Sequence, residues 1–149
     1  MQIQSTRLLQ FSKQFKKFYS YQFSTVLERT GLSMREVDVL LFLANNPGYD
    51  TARDITEYRG LSKSQVSQAV DLLAAEGLLL RTPDRADRRV IHLSITEDGA
   101  PLAREVLAVQ AHCVQELLAG LTEDQILQLN TALETVLDNG LRLAEEASV

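Results

Sequence analysis

The sequence of 149 residues predicts a mainly α-helical fold with one small β-hairpin. Three observations carry this prediction. Apolar residues recur at helical spacing over most of the chain. Helix-start signatures, a Ser or Thr followed three residues later by Glu, Asp or Gln, recur at Ser33, Thr51, Ser62 and Thr122. One segment departs from the helical pattern: two short apolar runs, Leu78 to Leu80 and Val90 to Ile95, flank the charged turn Asp84-Arg85-Ala86-Asp87-Arg88-Arg89.

Taken in order, residues 5–30 read as one long helix. Leu8, Phe11, Phe15, Phe18/Tyr19, Gln22 and Val26 recur along it, and Gly31 follows as its stop. Ser33 and Glu36 open a second helix with Val37, Leu40, Leu41 and Leu43 on its core face, closed by Asn45-Asn46-Pro47-Gly48. A short third helix covers about 51–58, with Ile55 inward and Gly60 as breaker. Ser62 and Gln65 open the next helix, which runs to Glu76. Val66, Ala69, Val70 and Leu73 point one way around it, Ser64, Gln68 and Asp71 the other, with Gln65 and Ser67 on the flanks and Leu72 off the apolar stripe. Two helices joined by a glycine-containing turn make a helix-turn-helix, and the hairpin behind it makes the wing of a winged helix-turn-helix. Thr96 is expected to start a long helix to about Ala119, with Pro101 displacing the start or kinking it. Gly120 breaks that helix, and a last one places Ile126, Leu129, Leu133, Val136/Leu137 and Leu141 on one stripe.

Composition narrows the classes of function. No apolar run approaches the ~20 residues of a membrane span, and the first residues, Met1 to Arg7, lack the apolar core of a secretory signal. A cytoplasmic chain is expected. The single cysteine, Cys113, excludes an internal disulfide framework and reads as a packing residue on a helix. The formal net charge is −5, but it is unevenly spread. Residues 1–99 hold 13 Lys/Arg against 12 Asp/Glu, a net of +1; residues 100–149 hold 2 against 8, a net of −6. Acidity sits in the C-terminal helices, and a local basic patch governs contact with phosphates. Enzymatic chemistry finds no constellation to work with. His92 and His112 are the only histidines, without a spacing partner for metal or triad chemistry, and the adjacent His112 and Cys113 face different sides of a helix. No metal and no cofactor is expected.

The helix and the hairpin have separate physical claims on DNA. The first turns of such a second helix face base edges in the major groove. Here they offer Lys63, Ser64, Gln65, Ser67 and Gln68, short or amide side chains able to read bases. Narrow minor grooves concentrate negative potential and accept arginine, and Arg81, Arg85, Arg88 and Arg89 fall within nine residues. The competing account is a solvated charged turn holding its own ion pairs, each worth ~0–1 kcal/mol.

The stretch Asp87-Arg88-Arg89-Val90-Ile91-His92-Leu93-Ser94-Ile95-Thr96-Glu97-Asp98-Gly99 resembles the wing pattern D-x-R-x-x-x-L-x-L-T-x-x-G of the MarR family of transcriptional regulators. Ser64-Gln65-Val66-Ser67-Gln68 resembles the family's recognition helix, and Glu76-Gly77-Leu78 its exit. The resemblance implies a dimer that binds palindromic operators, usually as a repressor, and that releases DNA when a small aromatic or phenolic compound binds between the DNA-binding lobe and the dimer helices. It implies that Arg89 enters the minor groove, that Asp87 orients it, and that Arg88 and Arg85 contact phosphate or groove. Two family arginines are replaced, one by Gln68 and one by Leu72, which lowers positive charge at the reading face. The cysteine that the family's peroxide sensors carry in the first helix is absent.

The reading is therefore one domain, 1–149, with a winged helix-turn-helix lobe at about 33–99 and dimerisation helices at 5–30 and 100–149. The terminal helices carry more apolar surface than a small lobe needs, which favours a homodimer. The expected function is a sequence-specific regulator of double-stranded DNA, and the alternative a winged helix that binds protein instead. Phe18, Tyr19, Tyr21 and Phe23 offer lining for an effector pocket, though most are expected in the core, so the ligand-binding residues stay unassigned.

Overall fold

The computed structural model describes residues 5–147, so the ends of the expected domain, 1–4 and 148–149, lie outside the described residues. The chain divides between Cys113 and Val114 into two compact units. The first contains α1 (Ser5–Gln22), α2 (Ser24–Thr30), α3 (Met34–Asn45), α4 (Ala52–Arg59), α5 (Lys63–Ala75), β1 (Leu79–Pro83), β2 (Ile91–Ile95) and most of α6 (Ala100–Leu117). The second contains the end of α6 and α7 (Glu123–Ala147).

The expected single helix over 5–30 is two helices. The break falls at Phe23 (φ −86°, ψ −5°), whose ring is wholly buried and lies 5.0 Å from that of Tyr19. Phe23 and Val26 are both in the core, and the apolar spacing that continues through Phe23 does not mark the break. Gln22, placed on the apolar line by its spacing, is half-buried as the last residue of α1. Gly31 ends α2 at φ 70°, where its amide bonds the Leu27 carbonyl.

Ser33 and Glu36 cap α3 reciprocally: the Ser33 N–H donates to the Glu36 carboxylate at 2.7 Å, which satisfies a charge that is almost fully buried. α3 is buried over more of its surface than expected. Val39 and Phe42 join Val37, Leu40 and Leu41 in the core, while Leu43 is only half-buried. Thr51 with Asp54, and Ser62 with Gln65, cap α4 and α5 in the same way. Ile55 of α4 and Val66, Ala69, Val70 and Leu73 of α5 close the core from the other side.

β1 and β2 pair antiparallel, Leu79 opposite Ile95 and Pro83 opposite Ile91, with Leu79 and Leu93 buried. α6 runs from Ala100, four residues after Thr96. Thr96 caps the turn that leads into it, accepting the Gly99 N–H on its hydroxyl at 3.0 Å and the Ala100 N–H on its carbonyl at 2.9 Å. Pro101 is the second residue of α6, in the first turn, where proline is tolerated. Cys113 is fully buried and burial pushes its thiol pKa up, while His112 beside it is exposed, as packing predicts. In the second unit Thr122 and Gln125 exchange a capping pair, and α7 has no buried residue: Leu129, Leu133, Val136, Leu137 and Leu141 stay exposed along its stripe.

Candidate nucleic-acid interface

The reading face of α5 is set by what the opposite face buries. With Val66, Ala69, Val70 and Leu73 committed to the core, Lys63, Ser64, Gln65, Ser67 and Gln68 are all exposed. Leu72, outside the stripe, is also exposed. Two of the five polar side chains carry a second duty. The Gln65 amide oxygen accepts the Ser62 N–H at 2.9 Å, so part of this residue is spent on the helix cap. The Gln68 amide oxygen accepts a hydrogen bond from Arg35 Nη1 of α3 at 2.9 Å, and its NH2 lies 3.5 Å from Ser64 Oγ. Arg35 stands between Ser33 and Glu36 of the capping box, and nothing local in the sequence singles it out. Its partner is 33 positions away, and no local signal connects them.

The wing pattern has a physical reason at each position. Asp84 builds the turn between β1 and β2: its Oδ1 accepts the N–H groups of Ala86 and Asp87, both at 2.8 Å. Those two backbone bonds, with His92, hold its carboxyl below the usual carboxylate range. The Val90 N–H then bonds the Asp87 carbonyl at 2.9 Å and closes the tip. Asp87 grips Arg89 with both oxygens, Nε to Oδ1 and Nη2 to Oδ2, each at 3.0 Å. The fork lowers the Asp87 pKa and raises that of Arg89. The Arg89 side chain is nonetheless 91% exposed. Arg85 and Arg88 are exposed on the same turn.

Behind the tip, Leu93 anchors the hairpin in the core. The Thr96 hydroxyl donates to the Gly77 carbonyl at 2.6 Å, tying the end of β2 to the exit of α5. Gly99 is required because a Cβ there would sit 2.3 Å from the Leu78 carbonyl oxygen. Arg81 pairs not with the tip but with Asp71 of α5, so one of the four clustered arginines links strand to helix. Between α4, α5 and the hairpin lies a cavity of about 760 Å³, lined by Lys63, Ser67, Val70, Arg81, Ile91 and Leu93 among others. The helix and the tip of the hairpin are thus separate prongs on one lobe.

A helix-turn-helix whose second helix exposes a polar face, followed by a hairpin tipped with arginines, defines a winged helix-turn-helix protein. The sequence profile of the MarR family matches residues 30–90, which span the helix-turn-helix and the wing tip. Over that segment the chain is similar to the MarR family. It is 33% identical over 102 residues to the transcriptional repressor MdtR of Bacillus subtilis (strain 168), a match covering 68% of this chain and 65% of MdtR, so less than two thirds of that relative's own length. Its fold is similar to that of the transcriptional regulator PA3341, with a TM-score of 0.76, 25% identity, and coverage of 93% of this chain and 98% of the other. It is also similar to Bordetella bronchiseptica BpsR, whose DNA binding is regulated by 6-hydroxynicotinic acid (TM-score 0.65, 20% identity, 87% and 98% covered).

Proposed function

We propose that the chain is a sequence-specific, double-stranded DNA-binding transcriptional regulator that acts as a homodimeric repressor on palindromic operators in the cytoplasm. One observation carries the reading: an exposed polar helix face and an arginine held outward by a carboxylate fork stand on the same lobe. In the proposed complex, Lys63, Ser64, Ser67 and Gln68 meet base edges in the major groove, with the free part of Gln65 beside them. Arg89 enters the minor groove, Asp87 fixes its angle, and Arg88 and Arg85 meet phosphates or the groove wall. The match of residues 30–90 to the MarR family model and the likeness to MdtR, a transcriptional repressor, support the assignment.

The lobe at 33–99 is the DNA-reading part in this proposal, and the helices outside it pair two protomers. The exposed apolar stripe of α7, with Leu8, Leu9 and Phe11 exposed on α1, supplies surface of the kind a dimer buries. A small aromatic acid is the proposed effector class. Phe11, Phe15 and Tyr19 line a cavity of about 740 Å³ together with Leu8, Leu9, Lys16 and Arg59, a set that suits a ring carrying a carboxylate. Of the aromatics considered from sequence, Phe23 is core and Tyr21 is exposed outside this lining.

The test is selection of bound fragments from a random-sequence duplex library by the purified full chain, followed by titration of the enriched duplex at several salt concentrations. Enrichment of an inverted repeat, with affinity falling steeply as salt rises, is the expected result. Failure to enrich any duplex, or affinity indifferent to salt, overturns the reading and leaves the protein-binding alternative.

A further inference from the structure

The wing turn is fastened to the body of the lobe by a histidine placed between two carboxylates. His92 sits on β2 opposite Thr82. Its Nδ1 lies 2.7 Å from Asp50 Oδ1, and its Nε2 lies 3.2 Å from Asp84 Oδ2. Asp50 belongs to the segment leading into α4, immediately before the cap residue Thr51. That segment is also bound to β2 through the backbone: the Leu93 N–H donates to the Asp50 carbonyl at 2.7 Å, and Thr51 forms a single bridge with His92. Asp84 uses one oxygen toward His92 and the other for the Ala86 and Asp87 N–H groups. A continuous path of polar contacts therefore runs from the start of α4 through His92 to the turn that presents the Asp87–Arg89 fork.

Proton inventory decides what this arrangement requires. Ionised carboxylates only accept, and a neutral imidazole has one N–H, so it can donate to one of the two carboxylates but not to both. The imidazolium has two, one for each. The charged groups facing His92 are Asp50 from the segment before α4 and Asp84 from the turn; its neighbour across the sheet, Thr82, is neutral. We propose that His92 is a positioning residue for the wing: as an imidazolium it bridges Asp50 and Asp84, and so holds the turn bearing Arg89 against the lobe. Hydrogen bonds to Asp50 and then Asp84 raise the His92 pKa above its ordinary value. The sign follows. The bridge is complete below the usual imidazole range, near 6.5, and is lost as pH rises through the elevated value in the folded protein. DNA affinity is then expected to fall on the alkaline side, about tenfold for the loss of one charged contact behind a wing. The consequence for DNA rests on the proposed function; the bridge itself does not.

The experiment has three arms, all on the full chain. In the first, His112→Gln leaves His92 as the sole histidine, and its imidazole is titrated by NMR alone and with Asp84→Asn or Asp50→Asn added. A raised His92 pKa that drops with each added substitution supports the bridge. In the second, amide hydrogen exchange at Ala86 and Asp87 is compared with that of His92→Gln, where exchange about tenfold faster is expected. In the third, affinity for the duplex enriched by selection is measured from about pH 6 to about pH 9. The wild-type profile should fall and the His92→Gln profile should be flat by comparison. An imidazole indifferent to both carboxylates, or unchanged amide protection and pH profile in His92→Gln, overturns the proposal. Absence of duplex binding at every pH would count against the regulator reading, while the first two arms still decide the bridge.

Discussion

Arg89→Ala separates the two accounts of the wing, because they assign the guanidinium opposite duties. In the free protein its contacts are the two side-chain hydrogen bonds of the Asp87 fork and the Arg89 N–H, which donates to Asp87 Oδ1 at 3.1 Å, and the side chain is 91% exposed. An exposed pair of this kind contributes little to folding, so the melting temperature should move by no more than about 2 °C. In the complex the same guanidinium is expected to occupy the minor groove, where removal of a groove contact costs about ten- to a hundredfold in affinity. A dimer applies that loss at both half-sites, so the selected duplex should bind about 10²- to 10⁴-fold more weakly. Fluorescence anisotropy on that duplex measures this, with circular dichroism for the fold. Arg142→Ala is the control of equal charge change: Arg142 lies on α7 and pairs with Glu146 at 2.7 Å, outside the lobe. Wild-type affinity for Arg89→Ala, or an equal loss for Arg142→Ala, would refute the reasoning, since the first removes the groove contact and the second reduces the wing to net charge.

Three further outcomes are expected. Gly99→Ala forces a Cβ to within 2.3 Å of the Leu78 carbonyl and should cost about 1–3 kcal/mol by overpacking, read as a lower urea midpoint. Phe23→Ala empties a fully buried site at the bend between α1 and α2 and should cost about 3–5 kcal/mol, a large share of a typical domain stability of about 5–15 kcal/mol; an unchanged midpoint would show that the bend does not depend on this ring. Arg35→Ala frees the Gln68 amide, so it should relax preference at one or two base positions by about five- to a hundredfold, measured on single-base variants of the selected duplex.

Much of the fold is legible because each helix announces its own ends. Ser33, Thr51, Ser62 and Thr122 all cap as their spacing predicts, since a capping box needs only residues three apart. The inward face of α5 follows from period alone, and all four of its expected core residues are buried. Legibility ends where the deciding contact is distant in sequence. The break at Phe23 serves a core assembled from α3, α5 and the hairpin. Thr96 caps the turn before α6 as its position suggests, but its hydroxyl also donates to the distant Gly77 carbonyl. Val39 and Phe42 are buried because α3 is enclosed on more than one face, which amphipathic spacing does not anticipate.

The candidate interface divides along the same line. The Asp87–Arg89 fork, expected from the resemblance of the wing pattern, and the Asp84 turn, not expected from it, are both local contacts spanning two or three residues. The contacts of Arg35 and Asp50 are not, because Gln68 and His92 are their partners only after folding. This difference bears on the charge lost from α5 at Gln68 and Leu72. A guanidinium on α3 reaches the same face and fixes the direction of the Gln68 amide, with the carbonyl toward Arg35. The NH2 group then lies 3.5 Å from Ser64 Oγ. In the proposed interface, a positive charge from a neighbouring helix thus stands beside the exposed face of α5. An acidic chain can carry a basic reading surface in this way, because contact with DNA depends on where its few cations are held and not on their total.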